Sequence, residues 1–246
     1  MYKTFRSSAC PKIPIFVPMQ AQTELTARGV LAFLRKEFLI EWRERYALNG
    51  ILLYLITTIF VCYLGFQTNR GALHPLVWNV LFWIILLFTS VNAVAKSFLQ
   101  EREERLRYYY VLIAPQALIL SKIIYQSLLL SLIATVGFGF YGFVMGNPVQ
   151  DVGLYLVAVV LGALGFATTL TMISGIAVQA KNSTTLVAIL GFPVLLPMLL
   201  MLIKVSRNAL DGLAWSVSQD ELLTLGALDV IVVVVAYLLF PYVWRS

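Results

Sequence analysis

The sequence predicts an all-α, polytopic membrane protein with six transmembrane helices, preceded by an amphipathic helix lying in the membrane interface. Three observations lead there. The 246 residues are 60% hydrophobic and only 12% charged, with a mean hydropathy of +0.86, which is more apolar surface than a soluble core of this length hides. That apolar content is gathered into six stretches, 49–66, 76–95, 117–145, 152–178, 185–203 and 225–244. Each is near or above the ~20 residues that a helix rising about 1.5 Å per residue needs to cross about 30 Å of hydrocarbon. The cations are one-sided as well. With the N-terminus inside, all of the 18 Lys and Arg residues except Arg70, Lys204 and Arg207 fall on the inner side, which selects cytoplasmic N- and C-termini.

The chain divides at about residue 24. Residues 1–24 hold Pro11, Pro14 and Pro18 and are expected to be a mobile cytoplasmic tail. Ser8-Ala9-Cys10 imitates a cleavage site, but no apolar stretch precedes it, so no signal peptide is expected. From 25 to 47, Leu31, Leu34, Phe38, Trp42 and Tyr46 recur at three- and four-residue spacing among Arg35, Lys36, Glu41, Arg43, Glu44 and Arg45. That pattern suits a helix lying in the interface, where its cations meet anionic lipid. The net charge of +6 sits in these membrane-flanking segments with acids among them, so headgroups and a cytoplasmic partner are the expected counterparts rather than nucleic acid. Cys10 and Cys62 are on different sides of the expected boundary, and no disulfide follows from them.

The spans differ from one another. The first two are joined by a turn ending in His74-Pro75, which suits the start of the next helix. The third carries Gly137, Gly139, Gly142 and Gly146, and the fourth Gly153, Gly162 and Gly165. Such glycines allow backbones to approach in lipid, where van der Waals contact drives helix association. Gly142-x-x-x-Gly146 reads as packing within the chain. Pro193 and Pro197, one turn apart in the fifth span, each remove an amide donor, so a bend or break is expected there. It would act as a hinge or re-entrant element or as a static kink, with the freed carbonyls facing protein or a cavity. Residues 204–224 form the longest outer segment, with Arg207, Asp211, Asp220 and Glu221 around an amphipathic piece at Trp215. Asp229, one turn into the last span, is a possible polar site within the membrane, close enough to the boundary for water or Lys204 to reach.

No catalytic or cofactor chemistry is legible. There is no phosphate-binding glycine loop ending in Gly-Lys-Ser/Thr, so ATP is expected on a separate subunit. The single histidine builds neither a metal cluster nor a Ser-His-Asp arrangement. His74 reads as a turn residue more readily than as a haem-iron ligand. The most informative polar segment runs from Lys96 to Lys122: Glu101, Glu103, Glu104 and Arg105 in one turn, then Tyr108, Tyr109 and Tyr110, an apolar run to Pro115, and Lys122 where the next span enters. A short helix here presents acids to the cytosol while its aromatics hold it at the surface.

This acidic cluster, apolar run to Pro115 and Ser121-Lys122 resemble the signature connection of type-2 ABC transporter membrane subunits, where it forms the helix that engages the ATPase. The second half, with Gly162-Ala-Leu-Gly165, Gly175, Lys181-Asn-Ser-Thr-Thr and Pro193-Val-Leu-Leu-Pro197, is similar to the CcmB family, haem exporter protein B of cytochrome c maturation, over approximately 29–244. The resemblance implies a bacterial inner-membrane subunit without ATPase activity of its own. Glu101, Glu103, Glu104, Arg105, Tyr109, Pro115 and Lys122 become the candidate coupling residues, and Gly162, Gly165, Pro193 and Pro197 the candidate hinge or packing residues. The implied partners are a CcmA-like ATPase, CcmC- and CcmD-like membrane proteins and a CcmE-like haem chaperone, with haem handled by the complex rather than bound covalently. The Trp-rich haem-handling loop of CcmC has no counterpart in this sequence. A permease of another type-2 exporter, for lipid, polysaccharide or drug, shares the same connection, and a six-span scaffold without transport shares only the topology.

Overall fold

The structure, a computed structural model, describes residues 46–67, 74–99, 115–177 and 183–245 together with isolated positions between 30 and 39. The tail at 1–24 lies outside the described residues, as does most of the segment expected to form the interfacial helix; Val30, Leu31, Leu34, Arg35 and Leu39 are helical, and Leu31 and Leu39 are exposed.

Six long helices carry the fold: α1 (Tyr46–Gln67), α2 (Pro75–Leu99), α3 (Pro115–Met145), α4 (Val152–Ala177), α5 (Ser183–Leu210) and α6 (Gln219–Arg245), with one short 3₁₀ turn at Trp215–Ser218. All six are long and apolar enough to cross a membrane, and no strand occurs among the described residues. Pro75 and Pro115 open α2 and α3, where proline's missing amide has no helical partner to lose. His74 caps α2, its Nδ1 accepting the Leu76 amide at 3.3 Å; that use of the ring fits a turn residue.

The helices pack as a ring around α4, which touches α2, α3, α5 and α6, while α1 lies at the edge against α2 and α3. α4 is the most buried of the six, with a partly exposed stripe at Val157, Val160, Leu161 and Leu164. From Gly165 to Thr171 every residue is buried. Its small residues let the neighbours close in.

One end of the bundle is closed by short, well-capped turns. Gly146 and Gly212 adopt φ of +79° and +66° just past the ends of α3 and α5, the left-handed conformation that glycine takes without strain. Gly146 therefore terminates a helix, and Gly142 faces only the local Asn147 side chain. Neither packs against another helix, whereas Gly137 does, with a Cβ there falling 3.1 Å from Leu55 Cδ1 of α1. Asp151 caps α4, Oδ1 accepting the Leu154 amide at 3.0 Å. Its Oδ2 accepts the Trp215 indole N–H at 2.7 Å, and its own amide donates to the Ala209 carbonyl at 3.0 Å. One residue thus ties three elements together, two through its carboxylate and one through its backbone amide.

The expected long outer segment at 204–224 is largely helical instead. Lys204 and Arg207 extend α5 to Leu210, and Asp220 and Glu221 already belong to the first turn of α6. Charge does not end these helices because long basic side chains reach toward the interface from a helical backbone, and acids favour a helix N-terminus. Lys204 Nζ meets Glu221 Oε1 at 2.5 Å, joining α5 to α6. The expected break at the prolines is not found either: α5 runs uninterrupted through Pro193 and Pro197.

Replacing Asp151 by Ala removes both a cap and the Trp215 bond, and should lower unfolding free energy by about 1–2 kcal/mol. Asp151→Asn retains an acceptor and should lose less. Thermal melts in lipid nanodiscs, followed by tryptophan fluorescence, check the order; equal midpoints for the wild type and both variants would show that the closed end does not depend on this carboxylate.

Candidate functional site

Of the residues expected to couple the protein to a partner, Pro115 and Lys122 sit at the opposite end of the bundle. Glu101, Glu103, Glu104, Arg105 and Tyr109 lie outside the described residues. Pro115 is the first residue of α3, and Lys122 stands two turns in, 3% exposed. Around it the first turns of α3 are buried almost completely, including Ser121, Gln126 and Ser127. A Cβ at Gly175 would fall 2.8 Å from Phe240 Cε2 and 3.4 Å from Ile119 Cδ1, so α3, α4 and α6 are in contact at this level. Buried hydroxyls of Thr168, Thr169, Thr171 and Ser174 line the same half of α4. Whatever moves the start of α3 therefore pushes directly on the central helix.

The two candidate glycines of α4 each make room for a specific neighbour. At Gly162 a Cβ would fall 2.6 Å from Trp83 Cζ3 and 3.0 Å from Leu202 Cδ1. The indole of α2 therefore abuts α4 at Gly162. At Gly165 the space is filled from two sides: Met198 Cε of α5 overlaps the position a Cβ would take, and Asp229 Oδ1 of α6 is 2.5 Å from it. This slot brings together Gly165 and Asp229, picked separately from the sequence, and Met198, which was not singled out there and lies beside Pro197.

Asp229 is placed deeper than the sequence suggested. α6 starts at Gln219 rather than near 225, so Asp229 stands almost three turns in, roughly 15 Å along the helix. Lys204 does not serve it, being paired with Glu221. Asp229 Oδ2 is buried with no hydrogen-bond partner among the described residues. An acid in that setting is costly and is kept for function by default.

Next to the slot lies a network that the sequence reading did not single out. Trp83 Nε1 donates to Ser206 Oγ at 2.8 Å, and Ser206 Oγ donates to the Leu202 carbonyl at 2.5 Å. Asn79 Nδ2 donates to the Ile203 carbonyl at 3.2 Å, while its Oδ1 accepts the Tyr155 hydroxyl at 3.1 Å. Tyr141 donates its hydroxyl to the Trp78 carbonyl at 3.0 Å. The rings pack as they bond, Phe138 on Tyr155 and Trp78 on Tyr141 both at 4.7 Å between centroids. α2, α3, α4 and α5 are locked to one another by groups satisfied inside the bundle, as polar groups in a membrane must be. Asn79 inside an apolar span was the available signal, since an amide there demands a partner.

This arrangement can bear force and hold helices in register. It supplies no nucleophile–base pair, and no group of three potential metal ligands occurs among the described residues. In comparison with known proteins, a family model described as CcmB protein matches residues 28–245. No curated protein matches the chain.

Gly165→Ala should cost about 1–3 kcal/mol, because the added methyl must displace Met198 and the Asp229 carboxyl from a filled slot. Met198 is the flexible neighbour, so Gly165→Ala/Met198→Ala should recover most of the loss. A double-mutant cycle in unfolding midpoints measures the coupling; additive effects would place the two residues out of contact.

Proposed function

The chain belongs to the CcmB family, and from that premise we propose that it works as the membrane half of an ABC complex, driven by a separate CcmA-like ATPase. By its family it is a multi-pass membrane subunit of the haem-exporting ABC transporter of cytochrome c maturation. The proposed placement is the bacterial inner membrane with both termini in the cytoplasm, supported by the one-sided distribution of Lys and Arg. CcmC- and CcmD-like membrane proteins complete the complex, and a CcmE-like chaperone receives the haem, which is cargo and not a resident cofactor.

The observation that carries the reading is the family match along nearly the whole chain. The mechanism proposed for coupling follows from how α3 begins. The 100–114 connection joins the end of α2 to Pro115, and the next turns of α3, with Lys122, are buried against α4 and α6. A docked ATPase that closes on ATP moves Glu101, Glu103, Glu104, Arg105 and Tyr109 as a knob. α2 and α3 then shift against α4, where the contact of Trp83 with Gly162 must slide or reseat and the filled slot at Gly165 passes the motion to α5 and α6. Pro193 and Pro197 weaken α5 beside that contact, and Asp229 is the polar group exposed to change when α6 separates from Gly165.

Two experiments test this. Reversing Glu101, Glu103 and Glu104 to lysine should set like charges against a basic partner surface and strip the ATPase from the purified complex, with cytochrome c maturation lost in cells. Reversing Asp220 and Glu221 breaks the Lys204 pair but should leave ATPase retention unchanged. Full retention and normal maturation with the triple reversal would refute docking through this connection. For orientation, single cysteines at Glu103 and at exposed Val217 should react with an impermeant maleimide from opposite sides of the membrane; reaction of both from the outside would overturn the topology. Ser218, though next to Val217, is buried and accepts the Asn208 amide at 2.9 Å, so it is a poor reporter.

A further inference from the structure

The prolines of α5 free backbone carbonyls on a helix face that no described residue covers. Ile189, Pro193 and Pro197 follow one another at four-residue spacing, and all three are exposed. Proline has no amide hydrogen, so Pro193 leaves the Ile189 carbonyl without its ordinary helical donor and Pro197 leaves that of Pro193. Both carbonyls belong to residues of the exposed stripe. On the same helix, a hydroxyl at 192, 193, 196 or 197 could bond back to them, but those residues are Phe, Pro, Leu and Pro. The remainder of the stripe, Leu190, Val194 and Leu200, is apolar and exposed. Among the described helices only one other contains an internal proline, Pro241, four residues from the end of α6, where interfacial water reaches the backbone.

Backbone groups freed by proline within hydrocarbon persist where a neighbouring helix satisfies them, since lipid tails cannot. A second copy placed α5 against α5 would not do so, because it would set carbonyl against carbonyl along a stripe without a donor. We propose that this stripe is the docking face for a transmembrane helix of a different subunit, one that presents Ser, Thr, Asn or Gln side chains as donors to the Ile189 and Pro193 carbonyls. Of the other large exposed faces, those on α1 and α3 have no internal proline, and that on α6 has one only at Pro241, near its end. This inference rests on the reading of the chain as one membrane subunit of a complex, and it names the surface and the chemistry by which that subunit meets another within the bilayer.

The test uses the full chain in its own membranes, with the photo-crosslinking residue p-benzoylphenylalanine placed singly at Ile189, Leu196 and, as the lipid-facing control, Leu132. The adducts are identified by mass spectrometry of the purified complex. The expected result is attachment from 189 and 196, and not from 132, to a membrane-spanning peptide of another chain containing Ser, Thr, Asn or Gln at the contact. The yield should fall in Pro193→Ala/Pro197→Ala, which restores both amide donors and makes the partner's redundant. Lipid adducts alone, attachment within the same chain or to a second copy, a partner peptide without donor side chains, or a yield unchanged by the double substitution would each overturn the proposal. Copurification of the ATPase is scored in the same samples. Its presence together with a negative result at 189 and 196 sinks this inference and leaves the proposed function standing, whereas its absence sinks that function.

Discussion

The fold depends on how closely other helices can approach α4. In lipid no hydrophobic force expels helices toward one another, so association relies on dispersion and on hydrogen bonds made at short range. Gly162 and Gly165 remove the side chains that would hold α2, α5 and α6 away. Trp83 then lies on bare backbone at one position, and Met198 and Asp229 fill the notch at the other. A helix packed against four others passes on their displacements, because a close-packed interior has little free volume to absorb one.

Polar groups are distributed to match this packing. The Trp83–Ser206 and Tyr155–Asn79–Ile203 bonds fix α2, α4 and α5 in the half of the bundle that Asp151 and the two positive-φ glycines close. That half is rigid. In the other half the buried groups are hydroxyls, an amide and Lys122, set where α3 emerges from the connection.

Prolines have three meanings in this chain, and only position separates them. Pro75 and Pro115 begin helices, where they cost nothing. Pro241 lies near a helix end. Pro193 and Pro197 sit inside α5 without breaking it, and each removes an amide donor, which leaves two acceptors on an otherwise apolar face.

The sequence by itself determined the helices. Six apolar runs and the cation asymmetry are local quantities, readable residue by residue, because the bilayer sets both the length of a span and the cost of moving charge across it. The family was legible too, through Glu101–Lys122 and the glycine and proline spacing of the second half. Boundaries failed where charge was taken for loop: Lys204 and Arg207 stay helical, and Asp220 and Glu221 start a helix, which put Asp229 deeper than expected. What only the tertiary structure decided was which glycine packs and which turns, and which helix each polar group meets. Gly142 and Gly146 looked like a packing pair and proved local, whereas Gly162 and Gly165 receive Trp83, Met198 and Asp229 from three different helices. Nothing within a few residues of a glycine encodes that, because the partner's side chain is brought by the packing of elements far apart in sequence.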